Sequence, residues 1–444
     1  MSKLRGTAMS QSKKVSRRGF LGASASALAV PYFVPGSALG LGGTVAPSER
    51  IVMGVIGVGG MGRGNMGAFM RNKDVQVTAV CDVDKNNMNN AKNQVDKRYK
   101  SKDCQTHGDY RQLVADEKID AVCIATPDHW HAKCCVEAAN NKKHIYCQKP
   151  MTHTFAEGQA VVAAVKKNDV IFQVGSQQRS SGNFRRAAEL VQNGVLGKLK
   201  RVEVGLPQGN RNPPAAPKDP VEPPAHVDYN FWVGPSQMVP FIPQRFHFHW
   251  RWHLNFGGGQ LMDWIGHHND IAHWGMGMDK SGPVEVQASG FKYPAKLDVF
   301  NAAYHYKISC KYANGVTSTI TSNEANAQGA KWYGEDGSWI YVRRGRLDAS
   351  NKEWIKGGFD AGPKKVYNSP EHHRNFLDGC KSSKPCICTA EIGHRSITPG
   401  HLGLLSQALG GKKLRWDPEN EKVIGDAAAD KLLKAVDYRK PWTL

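Results

Sequence analysis

Residues 51–62 read IVMGVIGVGGMG, an apolar run that passes directly into a glycine-rich turn. The apolar part has the composition of a strand buried on both faces. Gly57, Gly59 and Gly62 have the spacing G-x-G-x-x-G, in which glycines permit a tight bend, close approach of a pyrophosphate and packing of the next helix on the strand. A helix-like segment follows the turn, so this stretch predicts the first βα unit of a dinucleotide-binding domain.

A second apolar strand is predicted over residues 75–81, and it ends at Asp82. A carboxylate at this place accepts hydrogen bonds from the adenosine ribose hydroxyls and repels a 2′-phosphate. We therefore predict NAD as the cofactor in preference to NADP.

Two further buried strands are predicted over residues 119–125 and 144–147. The first leads into residues 126–131, TPDHWH, and the second into residues 148–150, QKP. Ligands of open α/β sheets bind beyond the carboxyl ends of the strands, so both segments should face the nicotinamide. The cofactor-binding residues predicted here are Thr126, Pro127, His129 and Lys149.

A polar motif lies in residues 257–270, GGGQLMDWIGHHND. On a helix, Asp263, His267, Asp270 and Trp274 are spaced four, three and four residues apart and share one face. A polar stripe of this kind faces solvent on many helices. The tryptophans and phenylalanines of the neighbouring sequence favour a shielded site instead.

The residue types in these motifs suit the oxidation of a carbinol, which needs a base for the hydroxyl proton. Histidine titrates near neutrality, so His267 is the natural base. Asp263, one turn earlier, can orient the imidazole, and Lys149 can stabilise alkoxide character on the substrate oxygen. Lys149, Asp263 and His267 are therefore the predicted catalytic residues.

Residues 247–253, HFHWRWH, are rich in histidine and tryptophan and contain a His-x-His pattern. This pattern lacks an obvious convergent carboxylate, and we predict no metal site. Hydrogen bonding to a polyol, with indole rings stacked on its apolar faces, accounts for the same residues. The predicted substrate-binding residues are His249, Trp252, Asp263 and His267.

Taken together, these motifs resemble those of the Gfo/Idh/MocA family, named after glucose–fructose oxidoreductase and inositol dehydrogenase. The resemblance covers nearly all of residues 50–444 and includes Ala125-Thr126-Pro127 and Lys149-Pro150. It implies a sugar-like substrate, the same three catalytic residues and a homo-oligomer associated through the sheet of the second domain. One position departs from the family pattern, because Gln148 stands where glutamate is usual.

The first fifty residues have the features of an export signal. Arg17 and Arg18 precede a short apolar run, residues 22–34, and then the small residues at 36–38. This order predicts a twin-arginine (Tat) signal cleaved near Ala38, handled by the Tat translocase and directing the protein to the periplasm. The apolar run is shorter than the ~20 residues that span a bilayer, so no stable membrane span is expected after cleavage.

The remaining sequence divides into two domains of different architecture. Short β-rich runs at 302–312, 316–321 and 338–342 predict an open, mainly antiparallel sheet after the Rossmann half. We therefore predict an α/β Rossmann domain followed by an α+β domain. The boundaries are a signal and linker over 1–48, the NAD(P)-binding domain over 49–175 and the substrate-binding domain over 176–444.

Composition limits the range of partners. The formal charge is +20, but the basic residues are spread along the chain without a nucleic-acid-binding motif, so no nucleic-acid partner is predicted. The ten cysteines lack the spacing of a disulfide framework or a zinc site.

Three functions are compatible with these features. The first is an exported NAD(P)-dependent oxidoreductase acting on a sugar, cyclitol or glycoside, with a tightly held and recycled cofactor because free nicotinamide is scarce outside the cytoplasm. The second is a redox-neutral glycosidase or lyase that acts through a transient keto-sugar. The third is a dinucleotide-binding protein without catalysis.

Overall fold

The structure is a computed structural model that describes residues 45–213, 219–322 and 324–444. The chain divides into two units, residues 1–50 and 51–444. Of the first unit only residues 45–50 are described, and they contain a single 3-10 turn at Pro47–Glu49. The predicted export signal around Arg17 and Arg18 lies outside the described residues.

The first half of the second unit is a parallel sheet with helices packed on it. Its strands are β1 (Ile51–Ile56), β2 (Val75–Cys81), β3 (Gln105–His107), β4 (Ala121–Ile124), β5 (His144–Cys147) and β6 (Phe172–Val174). Its helices are α1 (Gly60–Phe69), α2 (Lys85–Tyr99), α3 (Tyr110–Val114), α4 (Asp128–Asn140) and α5 (Phe155–Asn168). The strand order is β3-β2-β1-β4-β5-β6, with all neighbours parallel. This is the predicted Rossmann sheet, in which the order reverses between β1 and β4 and leaves a ligand crevice.

Local sequence explains where several of these helices begin. Asp84 precedes α2, and its carboxylate accepts hydrogen bonds from the backbone N–H groups of Asn86 and Asn87. Thr154 and Glu157 form a reciprocal capping box at the start of α5. By contrast, α1 follows Gly59 without a side-chain cap, so its first N–H groups remain available to a ligand.

The second half combines helices with a larger sheet. Its helices are α6 (Gly182–Gln192), α7 (Tyr229–Val233), α8 (Gly259–Met276), α9 (His372–Ser382), α10 (Ala390–Ala408) and α11 (Ala427–Leu433). Its strands are β7 (Leu199–Leu206), β8 (Glu285–Lys292), β9 (His305–Lys311), β10 (Thr317–Ser322), β11 (Gly329–Gly334), β12 (Trp339–Arg343), β13 (Arg346–Ala349), β14 (Leu414–Asp417) and β15 (Lys422–Val423).

Within the described residues, the order in this sheet is β13-β12-β11-β7-β10-β9-β8-β14-β15. Only the β7–β10 pair is parallel among these neighbours. The predicted α+β domain with a mainly antiparallel sheet is therefore confirmed, and the predicted strands agree with β9, β10 and β12 to within a few residues.

Helix α8 runs through the interior of this domain and contacts α6, α10 and β7. Its polar face does not meet solvent, because Asp270 is 0% exposed and Trp274 is 3% exposed. Asp270 instead accepts two hydrogen bonds from Arg179, at 2.8 and 2.9 Å. The same guanidinium also donates to both oxygens of Asp279. The shielded position predicted for this helix is therefore confirmed.

None of the helices in the described ranges combines the length and the apolar character needed to cross a bilayer.

Candidate active site

A cavity of about 540 Å³ lies at the carboxyl ends of the parallel strands. The glycine turn and Asp82 line one part of it, and Lys149 and Asp263 line another. Its volume is typical of a small-ligand site. The two halves of the chain both contribute to its wall, since Asp263 belongs to α8.

Each glycine of the turn has a distinct steric reason. Gly57 has a φ of +78°, and a Cβ there would lie 2.7 Å from the backbone nitrogen of Thr126. A Cβ on Gly62 would overlap the carbonyl oxygen of Gly57. A Cβ on Gly59 would meet nothing within 4 Å, which leaves open space above the start of α1. These features fit a pyrophosphate held by free N–H groups at a helix N-terminus.

We expect Gly62→Ala to abolish dinucleotide binding, because the obstructing atom is backbone and cannot move aside. Calorimetric titration of the nucleotide-free protein with NAD measures this effect. Gly64→Ala is the matched control, since a Cβ on Gly64 meets nothing within 4 Å. Equal affinities of the two variants would contradict this account of the turn.

Asp82 lies at the end of β2, where the sequence placed it. Its two carboxylate oxygens accept hydrogen bonds from the backbone N–H groups of Val58 and Asp84, both at 2.9 Å. Burial raises the pKa of Asp82 to about 6, although these hydrogen bonds act to lower it. The carboxylate thus ties the glycine turn to the strand beside it and lines the cavity, as a ribose-binding residue must.

Lys149 and Asp263 form the centre of the other part of the cavity. The Lys149 ammonium donates to Asp263 Oδ1 at 2.7 Å and to the Asp263 carbonyl oxygen at 3.0 Å. Arg251 approaches the same carboxylate at 3.7 Å. Burial opposes ionisation of Asp263, but the charges of Lys149 and Arg251 outweigh it and hold its pKa below the usual value. Asp263 therefore holds Lys149 in place rather than orienting His267, which corrects the predicted role.

Gln148, which replaces the family glutamate, does not contact Lys149 through a hydrogen bond. Its Nε2 atom is buried without a hydrogen-bond partner among the described residues, and it lines the cavity. The Thr126 hydroxyl is buried in the same way. Buried polar atoms without partners are rare, so both atoms suit contacts with a bound ligand. Together with the glycine turn, they fit a dinucleotide.

His267 lies one helical turn beyond Asp263 and is 6% exposed, without being part of the cavity wall. Burial, reinforced by the nearby positive charges of Lys149 and Arg344, lowers its pKa well below the usual value. Both effects favour the neutral imidazole, whereas the sequence alone predicted titration near neutrality. The Nδ1 atom of His267 is buried without a partner in the described part of the chain.

His129 is placed away from the cavity, which contradicts its predicted role in cofactor binding. Its ring is 1% exposed and lies against the carbonyl oxygens of Trp232 and Phe256, at 3.0 and 3.3 Å. Burial lowers its pKa to about 3. The reason is helical geometry: His129 is the second residue of α4 and faces the other domain, whereas Thr126 and Pro127 line the cavity.

His249 and Trp252 are also absent from the cavity wall, contrary to the prediction. Residues 247–252 form a 3-10 helix, so side chains repeat every three residues instead of alternating. His249 and Trp252 consequently share a face that contacts Phe300. The face toward the cavity carries His247, Phe248, Trp250 and Arg251.

Three residues of the cavity wall were missed from the sequence. Arg251 lies over the Phe248 ring at 4.1 Å and approaches Asp263. The imidazole nitrogens of His131 lie 2.8 Å from the Pro150 carbonyl oxygen and 3.0 Å from that of Thr126. Asp128 begins α4. The only available signal was position, since Asp128 and His131 belong to the strand-end segment already singled out.

A strap, residues 219–256, closes over the Asp82 region of the cavity. The His226 carbonyl accepts from Lys85 N–H at 2.9 Å, and Asp228 N–H donates to the Val83 carbonyl at 3.0 Å. The strap is anchored by an aromatic cluster made of Tyr229, Trp232, Phe241, Phe246 and Phe256. Helix α7 lies within the strap.

The described residues contain no group of three or more His, Cys, Asp or Glu side chains placed to hold a metal ion. All ten cysteines are free thiols, and nine of them are buried.

Comparison with known proteins identifies the family. The profile described as an oxidoreductase family with an NAD-binding Rossmann fold matches residues 51–176, and the one described as the C-terminal alpha/beta domain matches residues 183–444. The chain belongs to the Gfo/Idh/MocA oxidoreductase family. The predicted family and nicotinamide cofactor are confirmed, as is the class of NAD(P)-dependent oxidoreductases acting on CH–OH groups at the level of the family.

Relatives within the Gfo/Idh/MocA family are distant. Myo-inositol 2-dehydrogenase from Thermotoga maritima is 26% identical over 79% of this chain and 94% of that protein. An uncharacterized oxidoreductase, YrbE, from Bacillus subtilis is 28% identical over 55% of this chain and 58% of its own length. A glycosyl hydrolase family 109 protein from Shewanella baltica is 29% identical over 35% of each chain.

Solved structures share the fold of this family member. The WlbA dehydrogenase from Bordetella pertussis, in complex with NADH and UDP-GlcNAcA, has a TM-score of 0.62 at 17% identity, over 83% of this chain and 98% of that one. A levoglucosan dehydrogenase, in complex with NADH and levoglucosan, has a TM-score of 0.57 at 17% identity, over 82% and 99%.

Proposed function

We propose that this chain moves a hydride between NAD and a carbinol carbon of a sugar, cyclitol or glycoside. The proposal depends on one observation. Lys149 and Asp263 come from different domains and form an ion pair in the wall of the same cavity that the glycine turn lines. The names of the relatives myo-inositol 2-dehydrogenase and levoglucosan dehydrogenase support a sugar-like substrate.

The nicotinamide, when bound, supplies the acceptor or donor of the hydride. The chain supplies the proton transfers and the charge. Lys149 has three N–H donors and uses two on Asp263, so one remains for the substrate oxygen. His267, one helical turn from Asp263 and just outside the cavity wall, takes the hydroxyl proton in this proposal. Asp263 fixes the position of the ammonium group.

We further propose that the cofactor stays bound through many turnovers. The strap crosses the cavity where Asp82 and Asp84 line it, and His247 of the strap lies 3.5 Å from the Asp84 carboxylate. Covering this region slows release of the adenosine half. Retention suits an exported enzyme, and the twin arginines at 17 and 18 support export through the Tat pathway. A homo-oligomer joined through the second-domain sheet is part of the same proposal.

Removing the part of the strap that covers the cavity should release the cofactor faster. In the double variant His247→Ala/Phe248→Ala, two half-exposed cavity side chains are lost, and we expect nucleotide release to accelerate by roughly tenfold, which corresponds to about 1.4 kcal/mol. Fluorescence of bound NADH during dilution measures the rate. Leu432→Ala, at an exposed apolar residue outside the cavity wall, is the control. Identical rates for both variants would contradict retention by the strap.

A redox-neutral glycosidase or lyase is the second candidate. It retains the same oxidation but returns the hydride after a glycosidic bond has broken. The unpaired carboxyl of Asp128 in the cavity favours it, as do partial matches to glycosyl hydrolase family 109 proteins and to 2,7-anhydro-N-acetylneuraminate hydratase from Escherichia coli.

One experiment separates these candidates. The exported protein is purified and dialysed, its bound nucleotide is identified, and polyols and glycosides are screened for nucleotide reduction and for sugar release. Reduction without sugar release supports the oxidoreductase, and sugar release without net NADH supports the glycosidase. A protein that emerges free of nucleotide and binds NAD only loosely would contradict cofactor retention.

A further inference from the structure

The carboxyl group of Asp128 has no assigned task, although it lies in the cavity wall with Lys149 and Asp263. Asp128 is 2% exposed, and in the described ranges no hydrogen bond or ion pair involves its carboxyl, which lines the cavity. A carboxyl placed in this way is available to a ligand in the cavity.

The surroundings of Asp128 favour the protonated form of its carboxyl group. Burial is the main cause that raises its pKa well above the usual value, and the negative charge of Asp263 adds to it. Glu157 acts in the same direction, while Lys149 and Arg251 oppose it.

The pKa values of two of the cavity carboxyls, Asp128 and Asp263, are thus shifted in opposite directions: Lys149 lowers that of Asp263, and burial raises that of Asp128. Burial also lowers the pKa of His267, which favours its neutral, basic form. Pairs of titratable groups whose pKa values are driven apart mark the acid and the base of an enzyme.

Oxidation of a carbinol alone leaves no use for such an acid. That reaction needs a base for the hydroxyl proton and a positive group for the oxygen, and His267 and Lys149 supply both. Cleavage of a C–O bond two carbons from a ketone is different, because the expelled oxygen must receive a proton. Asp128 lies in the cavity wall beside Lys149 and Asp263, and its raised pKa suits the delivery of that proton.

We propose that Asp128 is the general acid that protonates the leaving oxygen of a glycoside, an inference that rests on the redox-neutral form of the proposed function. The hydroxyl proton that His267 took during the oxidation first passes to solvent, which returns a proton when the ketone is reduced at the end of the cycle. The ring, free again, removes the C–H proton beside the ketone carbon, and that electron pair forms a C=C bond. The C–O bond to the leaving group breaks, its electron pair stays on the oxygen, and Asp128 gives that oxygen its proton.

The addition of water restores both groups. The Asp128 carboxylate takes a proton from the water as the water oxygen bonds to the same carbon, and His267 returns its proton to the neighbouring carbon. The transient carboxylate is stabilised by Lys149 and by the N-terminus of α4, a helix of 13 residues whose dipole favours a negative charge there.

The test uses the full-length holoenzyme and Asp128→Asn, which keeps the shape of the side chain and removes the transferable proton. The substrates are matched 4-nitrophenyl and methyl glycosides of glucose, galactose and N-acetylglucosamine. A 4-nitrophenolate leaves without protonation, whereas methoxide does not. We expect Asp128→Asn to lower sugar release from the methyl glycoside by roughly 10²–10⁴-fold and to affect the 4-nitrophenyl glycoside far less. Reduction of the bound nucleotide should fall far less than sugar release from the methyl glycoside.

An infrared measurement checks the protonation state without any substrate. The difference spectrum of wild-type minus Asp128→Asn at neutral pH should contain the C=O band of a protonated carboxylic acid. Asp103→Asn, at an exposed aspartate, should give a carboxylate band instead and leave sugar release unchanged.

Three results would overturn the proposal. The first is an infrared carboxylate band for Asp128, and the second is an equal loss of sugar release from the methyl and the 4-nitrophenyl glycosides in Asp128→Asn. The third is a loss of nucleotide reduction in this variant as large as its loss of sugar release. A wild-type enzyme that reduces its nucleotide with glycosides but releases no sugar would refute the role of Asp128 while the oxidoreductase proposal stands. A wild-type enzyme that does neither would refute the proposed function itself.

Discussion

Lys149→Ala is expected to lower the rate of hydride transfer by roughly 10²–10⁴-fold without unfolding the protein. The variant removes the ammonium group that reaches the substrate oxygen, and it leaves Asp263 with Arg251 alone as a positively charged neighbour at 3.7 Å. Reduction of the bound nucleotide in a single turnover measures the loss, because release steps do not contribute to it.

The control for this prediction is Lys167→Ala, at an exposed lysine of α5. It should react at the wild-type rate. Both variants should retain the nucleotide, because the glycine turn and Asp82 are untouched. If Lys149→Ala retained nearly full activity, the reaction centre would lie elsewhere in the cavity. Turnover by the wild type on any polyol, together with this loss, would also exclude a binding protein without catalysis.

Arg179→Met is expected to destabilise the protein by about 3–5 kcal/mol. Arg179 and Asp270 each have side chains that are 1% exposed, and removal of the guanidinium leaves the Asp270 carboxylate buried without its partner. The same change removes the ion pair with Asp279 and the cation–π contact of the guanidinium with the Trp274 ring, whose centroid is 5.1 Å away. Urea denaturation of the holoenzyme, at a fixed nucleotide concentration, measures the effect.

Two further variants sharpen this test. Lys356→Met breaks an exposed ion pair with Glu353 and should change stability by less than about 1 kcal/mol. The double variant Arg179→Met/Asp270→Asn should recover part of the stability lost in Arg179→Met, because no unpaired charge remains buried. Equal stabilities for Arg179→Met and Lys356→Met would show that the buried network does not hold α8 in place.

The Rossmann half could be predicted closely from local sequence. Its strands are short apolar runs, and the glycine turn has a steric requirement at Gly57 and Gly62 that few other residues meet. Lys149 and Asp263 were also placed together correctly. The position of Lys149 follows from the rule that strand ends in an open α/β sheet converge on one edge. Asp263 lies on α8 of the second domain, and its place beside Lys149 was implied by the family resemblance of its motif.

The errors arise where a side chain's direction depends on packing. His249 and Trp252 were assigned to the substrate because their side-chain types suit a polyol, but the segment is a 3-10 helix and presents Trp250 and Arg251 to the cavity. His129 was assigned by its neighbours in sequence, although its ring lies against Trp232 and Phe256 of the other domain. The directions of these side chains cannot be predicted from composition or spacing.

The sequence by itself determined the fold, the nicotinamide site and the identity of the lysine, aspartate and histidine around the reaction centre. These depend on periodicity and on backbone sterics, which are local properties. Only the tertiary structure decided their partners and the direction of their pKa shifts: Asp263 pairs with Lys149, and burial lowers the pKa of His267 and raises that of Asp128. Electrostatic energies depend on burial and on distances between residues far apart in the chain, and the folded protein alone sets both.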